Sequence, residues 1–96
     1  MPLFVFIGRD RPAGAELRQE LRPAHLEHLG PLSAAGRVRF GGPLRDEDGS
    51  PRGSMIVLEA DSIGEARALC DRDPYVAGGL FETTEIFETL QVFPER

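Results

Sequence analysis

Proton transfer near neutral pH calls for a histidine and a carboxylate that can meet, and the chain offers one such combination around His25 and the pair Asp71 and Asp73. His25 follows Pro23, which suits a first helical position because its fixed φ favours a helix start and its missing N–H would be unpaired there. From that start His25, Leu29 and Leu32 fall four and three residues apart, which stacks them on one helical face and points the imidazole inward. An inward histidine is either a core residue bonded to a backbone carbonyl or, given a carboxylate, a general base. The candidate partner lies in Asp71-Arg72-Asp73-Pro74-Tyr75, at the expected end of a second helix. Proline disfavours helix in the residue before it, so Asp73 is held extended or in a turn and its side chain leaves in a fixed direction.

Other chemistries find less support. His25 and His28 stand three apart, but no third ligand is near them, so no metal is expected. Asp46-Glu47-Asp48-Gly49 resembles the start of a calcium loop yet lacks the Glu that would complete the shell, and reads as a hairpin tip. Gly41-Gly42-Pro43 has neither the spacing nor the lysine of a phosphate loop; it reads as a close-packed strand end, or as a pocket wall formed by Gly42 and Pro43. Ser54 is not framed by a strand-turn-helix elbow. Cys70 reads as core.

Composition narrows the field further. The 96 residues form one expected domain, 1–96, with a net charge of −5. Every cation is arginine, with no basic tract to follow a phosphate backbone, so nucleic acid is not an expected partner. A single cysteine cannot close an internal disulfide and points to a reducing compartment. No apolar run reaches the length of a membrane span, and the short N-terminal apolar stretch lacks a preceding basic region, so a cytoplasmic protein is expected.

The elements that must position these residues follow from periodicity. Leu3 to Ile7 is an apolar, β-forming run ended by Gly8. Ala13 to Leu21 predicts a helix, which Pro23 restarts at a bend, and Gly30-Pro31 predicts a kink or early end. Arg37 to Leu44 predicts a strand with Val38 and Phe40 on one side. Asp46 to Gly53 predicts a hairpin turn into a third strand, Met55 to Ala60. Ser62 and Glu65 form a capping box for a helix that carries Ile63, Ala66 and Cys70 inward. Gly78-Gly79 then separates a short segment after Pro74 from a last strand, Leu80 to Phe93. The order β-α-β-β-α-β predicts an α+β fold of the ferredoxin-like type, a four-stranded antiparallel sheet with helices on one face.

RPAHL at Arg22 to Leu26, GGPL at Gly41 to Leu44, GS at Gly53-Ser54 and DPYVAGGLF at Asp73 to Phe81 together resemble the YciI-like, or YCII-related, proteins. The resemblance implies a dimeric ferredoxin-like α+β barrel and an active site marked by a histidine and an aspartate, which fall on His25 and Asp73, with Asp71 as the fallback. It also implies kinship with lyases that remove chloride from hydroxylated rings and with small isomerases. On this basis His25 is expected to act as general acid and base, oriented by Asp73, with Arg22, Ser54 and Tyr75 contacting a small anionic or phenolic substrate and no cofactor required. The alternative is a non-catalytic module that holds a small ligand in the same pocket.

Strand alternation adds an expectation about assembly. Leu3, Val5 and Ile7 face one side and Phe4 and Phe6 the other, while Met55 and Val57 oppose Ile56 and Leu58. In the last strand Ile86, Leu90 and Val92 are set against Phe81, Phe87 and Phe93. Two helices cover only one face, so the open face is expected to pair with a second copy of the chain in a homodimer.

Overall fold

A computed structural model describes residues 1–95. Its order is β1 (Leu3–Asp10), α1 (Ala15–Ala34), β2 (Val38–Arg45), β3 (Pro51–Glu59), α2 (Ile63–Asp71), α3 (Pro74–Ala77) and β4 (Phe81–Thr89). The strands form one antiparallel sheet in the order β2-β3-β1-β4. This is the ferredoxin-like α+β fold, with α3 as an added turn between α2 and β4. The core lies between sheet and helices, where Phe4, Phe6, Ile56, Leu58 and Ile86 meet Ala66, Cys70, Tyr75 and Leu80. The opposite strand residues Leu3, Val5, Ile7, Met55 and Val57 are half-buried.

Several expectations need correction. The first helix does not restart at Pro23: α1 runs unbroken from Ala15 to Ala34 with Pro23 and Pro31 inside it. Both prolines are on the exposed side, where the carbonyls they leave without a donor can bond to water. Leu17, Leu21 and Leu29 pack against the core on both sides of Pro23 and hold the helix together across it. β1 continues past Gly8 to Asp10. Gly8 gives room rather than a stop, since a Cβ there would stand 2.7 Å from the Phe81 ring.

Two irregularities overturn simple alternation. Val38 pairs with Leu58 but Phe40 with Val57, so an extra residue in β2 leaves Val38 on the helix-covered face and turns Phe40 to the open one. Between β1 and β4 the register shifts at Arg9/Asp10, which places Phe81 and Ile86 on the same buried side. β4 itself ends at Thr89; Leu80 is buried before it, and Leu90, Val92 and Phe93 lie exposed beyond it.

At α2 the Ser62 hydroxyl accepts from the Glu65 N–H, as a cap should, while Glu65 reaches back one residue further than expected, to the Asp61 N–H. Ile63 is exposed, not inward. The hairpin closes over Asp46 to Ser50, with Gly49 at φ +83° and the Asp48 carboxylate accepting from the Ser50 N–H.

Candidate active site

Helical spacing sets Arg18, Arg22, His25 and Leu29 along one stripe of α1, facing β2, β3 and α3. The far side of the site is built by a local feature of the sequence. Pro74 begins α3 at a position where its missing N–H is harmless, and Asp73 before it takes the extended N-cap conformation, φ −62° and ψ 128°. Its carboxylate accepts from the Tyr75 N–H at 2.9 Å and from His25 Nδ1 at 2.8 and 2.9 Å. Asp73 is 2% exposed, so this contact sits out of water. With Nδ1–H donated to the carboxylate, Nε2 is the ring atom left for chemistry. The imidazole also stacks on the Tyr75 ring, centroids 3.9 Å apart and 11° from parallel. Edge and face of His25 are thus held by residues two apart in sequence.

A second network stands beside the first. Arg18 donates from Nε and Nη2 to the two oxygens of Asp10 at 2.9 and 2.8 Å, and from Nη2 to Ser54 Oγ at 3.1 Å. Its Cζ lies 4.9 Å from the centre of the Tyr75 ring. Burial works against the Arg18 charge, but the hydrogen bond and charge of Asp10 outweigh it and the guanidinium is held more firmly protonated than usual. Burial pushes the Tyr75 phenol up, and the charges of Arg18 and Arg22 offset part of that.

These groups border a cavity of about 680 Å³ between α1 and the β2-β3 hairpin, a size suited to a small organic molecule. Leu26, Leu29, Val38 and Ile56 give it an apolar wall, and Arg18, Arg22 and Arg45 give it positive charge with no carboxylate in the lining. Of the residues singled out from sequence, His25, Arg22, Gly42, Pro43, Ser54 and Tyr75 all border this space, and Asp73 stands behind His25. Asp71 is exposed and makes no bond to His25. His28 bridges the helices instead, donating from Nε2 to the Leu69 carbonyl at 2.9 Å. Among the described residues no group of three His, Cys, Asp or Glu gathers as a metal site.

Arg18, Asp10 and Arg45 were missed by the sequence reading. For Arg18 a signal existed: it lies seven residues before His25, so the periodicity that turns His25 inward also turns Arg18 inward. Burial pushes the Cys70 thiol, three residues before Asp73, up to about 12, with the charges of Asp73 and Asp71 adding to the shift.

Residues 2–90 match the family profile of the YCII-related domain. The chain belongs to that family. Protein YciI of Escherichia coli O6:H1 is 34% identical over 97 residues, spanning 95% of this chain and 99% of its own. In Emericella nidulans, the derivative of benzaldehyde biosynthesis cluster protein C is 39% identical over 80 residues, 73% of this chain and 82% of that one. Among solved structures of the same fold, 5-chloro-2-hydroxyhydroquinone dehydrochlorinase (TftG) from Burkholderia phenoliruptrix, in complex with 2,5-dihydroxybenzoquinone, superposes with a TM-score of 0.85 at 29% identity, over 98% of this chain and 99% of that chain. No helix of this YCII-related chain, among the described residues, is long and apolar enough to cross a membrane.

Proposed function

We propose that this YCII-related chain is a small enzyme of lyase or isomerase type, in which His25 is general base and then general acid, oriented by Asp73, for a small hydroxylated aromatic or otherwise anionic substrate. The observation that carries the reading is the His25 Nδ1 contact with both Asp73 oxygens at the wall of a cavity that also holds three arginines. Asp73 selects the tautomer with the proton on Nδ1, so the Nε2 lone pair can take a proton from a substrate O–H or C–H. The electron pair released moves through the substrate's conjugated system. The proton on Nε2 is then delivered to a departing group, which makes a lyase, or to a different carbon, which makes an isomerase. Arg22, Ser54 and Tyr75 contact the ligand, with Gly42 and Pro43 as the small-residue wall opposite. The dehydrochlorinase named above supports this substrate class. We set the reaction in the cytoplasm, where a lone buried thiol such as Cys70 stays reduced.

The same proposal includes a homodimer through the open sheet face. Half-buried Leu3, Val5, Ile7, Met55 and Val57 are flanked there by Phe40 and Phe87, each 51% exposed. Twofold pairing would cover this face with itself.

Turnover of chlorinated hydroquinones by the parent, His25→Ala and Asp73→Asn tests the enzyme. In Asp73→Asn the side-chain amide oxygen can still accept from the Tyr75 N–H, so the fold should survive. Both variants are expected to lose about 10²-fold or more in kcat. Full activity in His25→Ala, or ligand binding without turnover in the parent, overturns the catalytic reading.

A further inference from the structure

We propose that Arg22 and Arg45 form a clamp at the rim of the cavity for a carboxylate carried by the ligand, which narrows the substrate to a monocyclic ring acid bearing one carboxylate besides the group that His25 deprotonates. The second half of that statement rests on the general-base role of His25; the clamp does not require it. The chain has 16 acidic residues against 11 arginines, so an arginine with no acid of its own calls for a reason. Arg9, Arg18, Arg37, Arg39 and Arg52 each pair with a carboxylate. Arg22 and Arg45 do not: among the described residues no hydrogen bond or ion pair engages either one, and both border the same cavity.

Local structure keeps both guanidinium groups unpaired. On α1 the positions three and four residues from Arg22 are Arg18, Gln19, His25 and Leu26, so no acid stands within helical pairing distance of it. On β2, Gly41 pairs with buried Ile56 and Pro43 with buried Ser54, which puts both on the helix-covered side of the sheet, and Arg45 continues that alternation. Two small residues therefore open the cavity wall, and the third position along the same face carries a cation. The acid next to Arg45 in sequence, Asp46, is taken up by Arg52 across the hairpin. The register shift between Leu44 and Arg45 sets Arg45 opposite Pro51 instead of Arg52. Both arginines are exposed, which puts them where the cavity meets solvent.

Charge and shape then select the ligand. Arg18 is neutralised by Asp10, and a neutral His25 leaves Asp73 as one negative charge behind the wall. Against these, Arg22 and Arg45 leave a single net positive charge, which one carboxylate balances. The planar guanidinium fork matches a carboxylate in two parallel hydrogen bonds. Leu26, Leu29, Val38 and Ile56 offer the apolar surface for a ring, and about 680 Å³ suits one ring and not several.

The probes are 2-, 3- and 4-hydroxybenzoate, each compared with phenol, which lacks only the carboxylate. Calorimetric titration of the full-length parent at low salt is expected to show at least one hydroxybenzoate binding about tenfold or more tightly than phenol, with the ratio falling as salt is added. Arg22→Gln and Arg45→Gln should each cut that ratio by about threefold, and Arg45→Glu should bring it to one or below. Neither arginine has a protein partner to lose, so all three variants should fold, and thermal melts check this. Arg45→Lys, which keeps the charge without the fork, should fall between the parent and Arg45→Gln. A parent that binds phenol as tightly as every hydroxybenzoate, or that binds none of the four, overturns the clamp, as does a parental ratio in folded Arg45→Glu. The ratio is read from binding alone, so a parent that shows it without any turnover keeps the clamp and loses the enzyme reading, and turnover without the ratio does the reverse.

Discussion

The rings of His25 and Tyr75 lie face to face, 3.9 Å between centroids and 11° from parallel, while Asp73, two residues before the tyrosine, holds the edge of the same imidazole. The dipeptide spacing makes α3 a clamp: its N-cap fixes where Nδ1 points and its second helical residue fixes the plane of the ring. Tyr75→Phe keeps the stack and should keep the fold and activity within tenfold of the parent. Tyr75→Leu removes the flat surface, and should lower activity by more than tenfold and stability by about 2–4 kcal/mol. Thermal melts and turnover on the three proteins check this.

Pro23 stands inside α1, not at its start, and its exposure shows that no packing depends on the ring. Interior proline costs a helix up to about 3 kcal/mol. Pro23→Ala should therefore raise stability by about 1–3 kcal/mol with ligand affinity unchanged, as measured by denaturant titration and a binding isotherm. Rotation of His25 away from Asp73, seen as lost activity in a stabilised variant, would contradict it.

Alkali should unfold the protein through Cys70. Its folded pKa is raised from 9.0 to about 12, so as pH rises the unfolded chain gives up the thiol proton first. The stabilisation is complete below pH 9 and lost progressively between 9 and about 12, and the raised Tyr75 phenol acts in the same direction. The melting temperature should hold steady to pH 9 and fall above it, less steeply in Cys70→Ala. At pH 8 the native thiol should react with a thiol reagent far more slowly than the denatured one.

The open sheet face should self-associate. Val5 pairs with Val57 and with Phe87 across three strands, giving an apolar centre. Val5→Asp should shift the mass measured by light scattering from two chains to one, and a parent with the mass of one chain would refute the homodimer.

The strand and helix order was legible because binary patterning matches it almost throughout: Phe4 and Phe6 against Leu3, Val5 and Ile7, then Ile56 and Leu58 against Met55 and Val57. What failed was local. Phe40 and Phe81 each lie beyond a one-residue irregularity, which moves every following side chain to the other face and leaves no composition signal. Pro23 was misjudged because tertiary packing of Leu17, Leu21 and Leu29 overrides a local breaker. In the site, the Asp73-Pro74 cap could be read locally, whereas Asp10 and Arg18 come from a strand end and a helix whose proximity exists only in three dimensions.

The contacts that define the site are long in sequence: His25 to Asp73 spans 48 residues and Arg18 to Ser54 spans 36. Closing such loops costs entropy before any contact rewards it, so the site exists only in the folded chain, with α3 docked on α1. A chain with its sheet paired but α3 undocked would hold secondary structure and no cavity wall, and a ligand, having nothing to bind there, would favour the fully docked chain by mass action. Ligand supply would then govern how much of this protein stands fully folded in a stressed cell, a link between metabolite level and protein lifetime that follows from placing the dyad across half the chain.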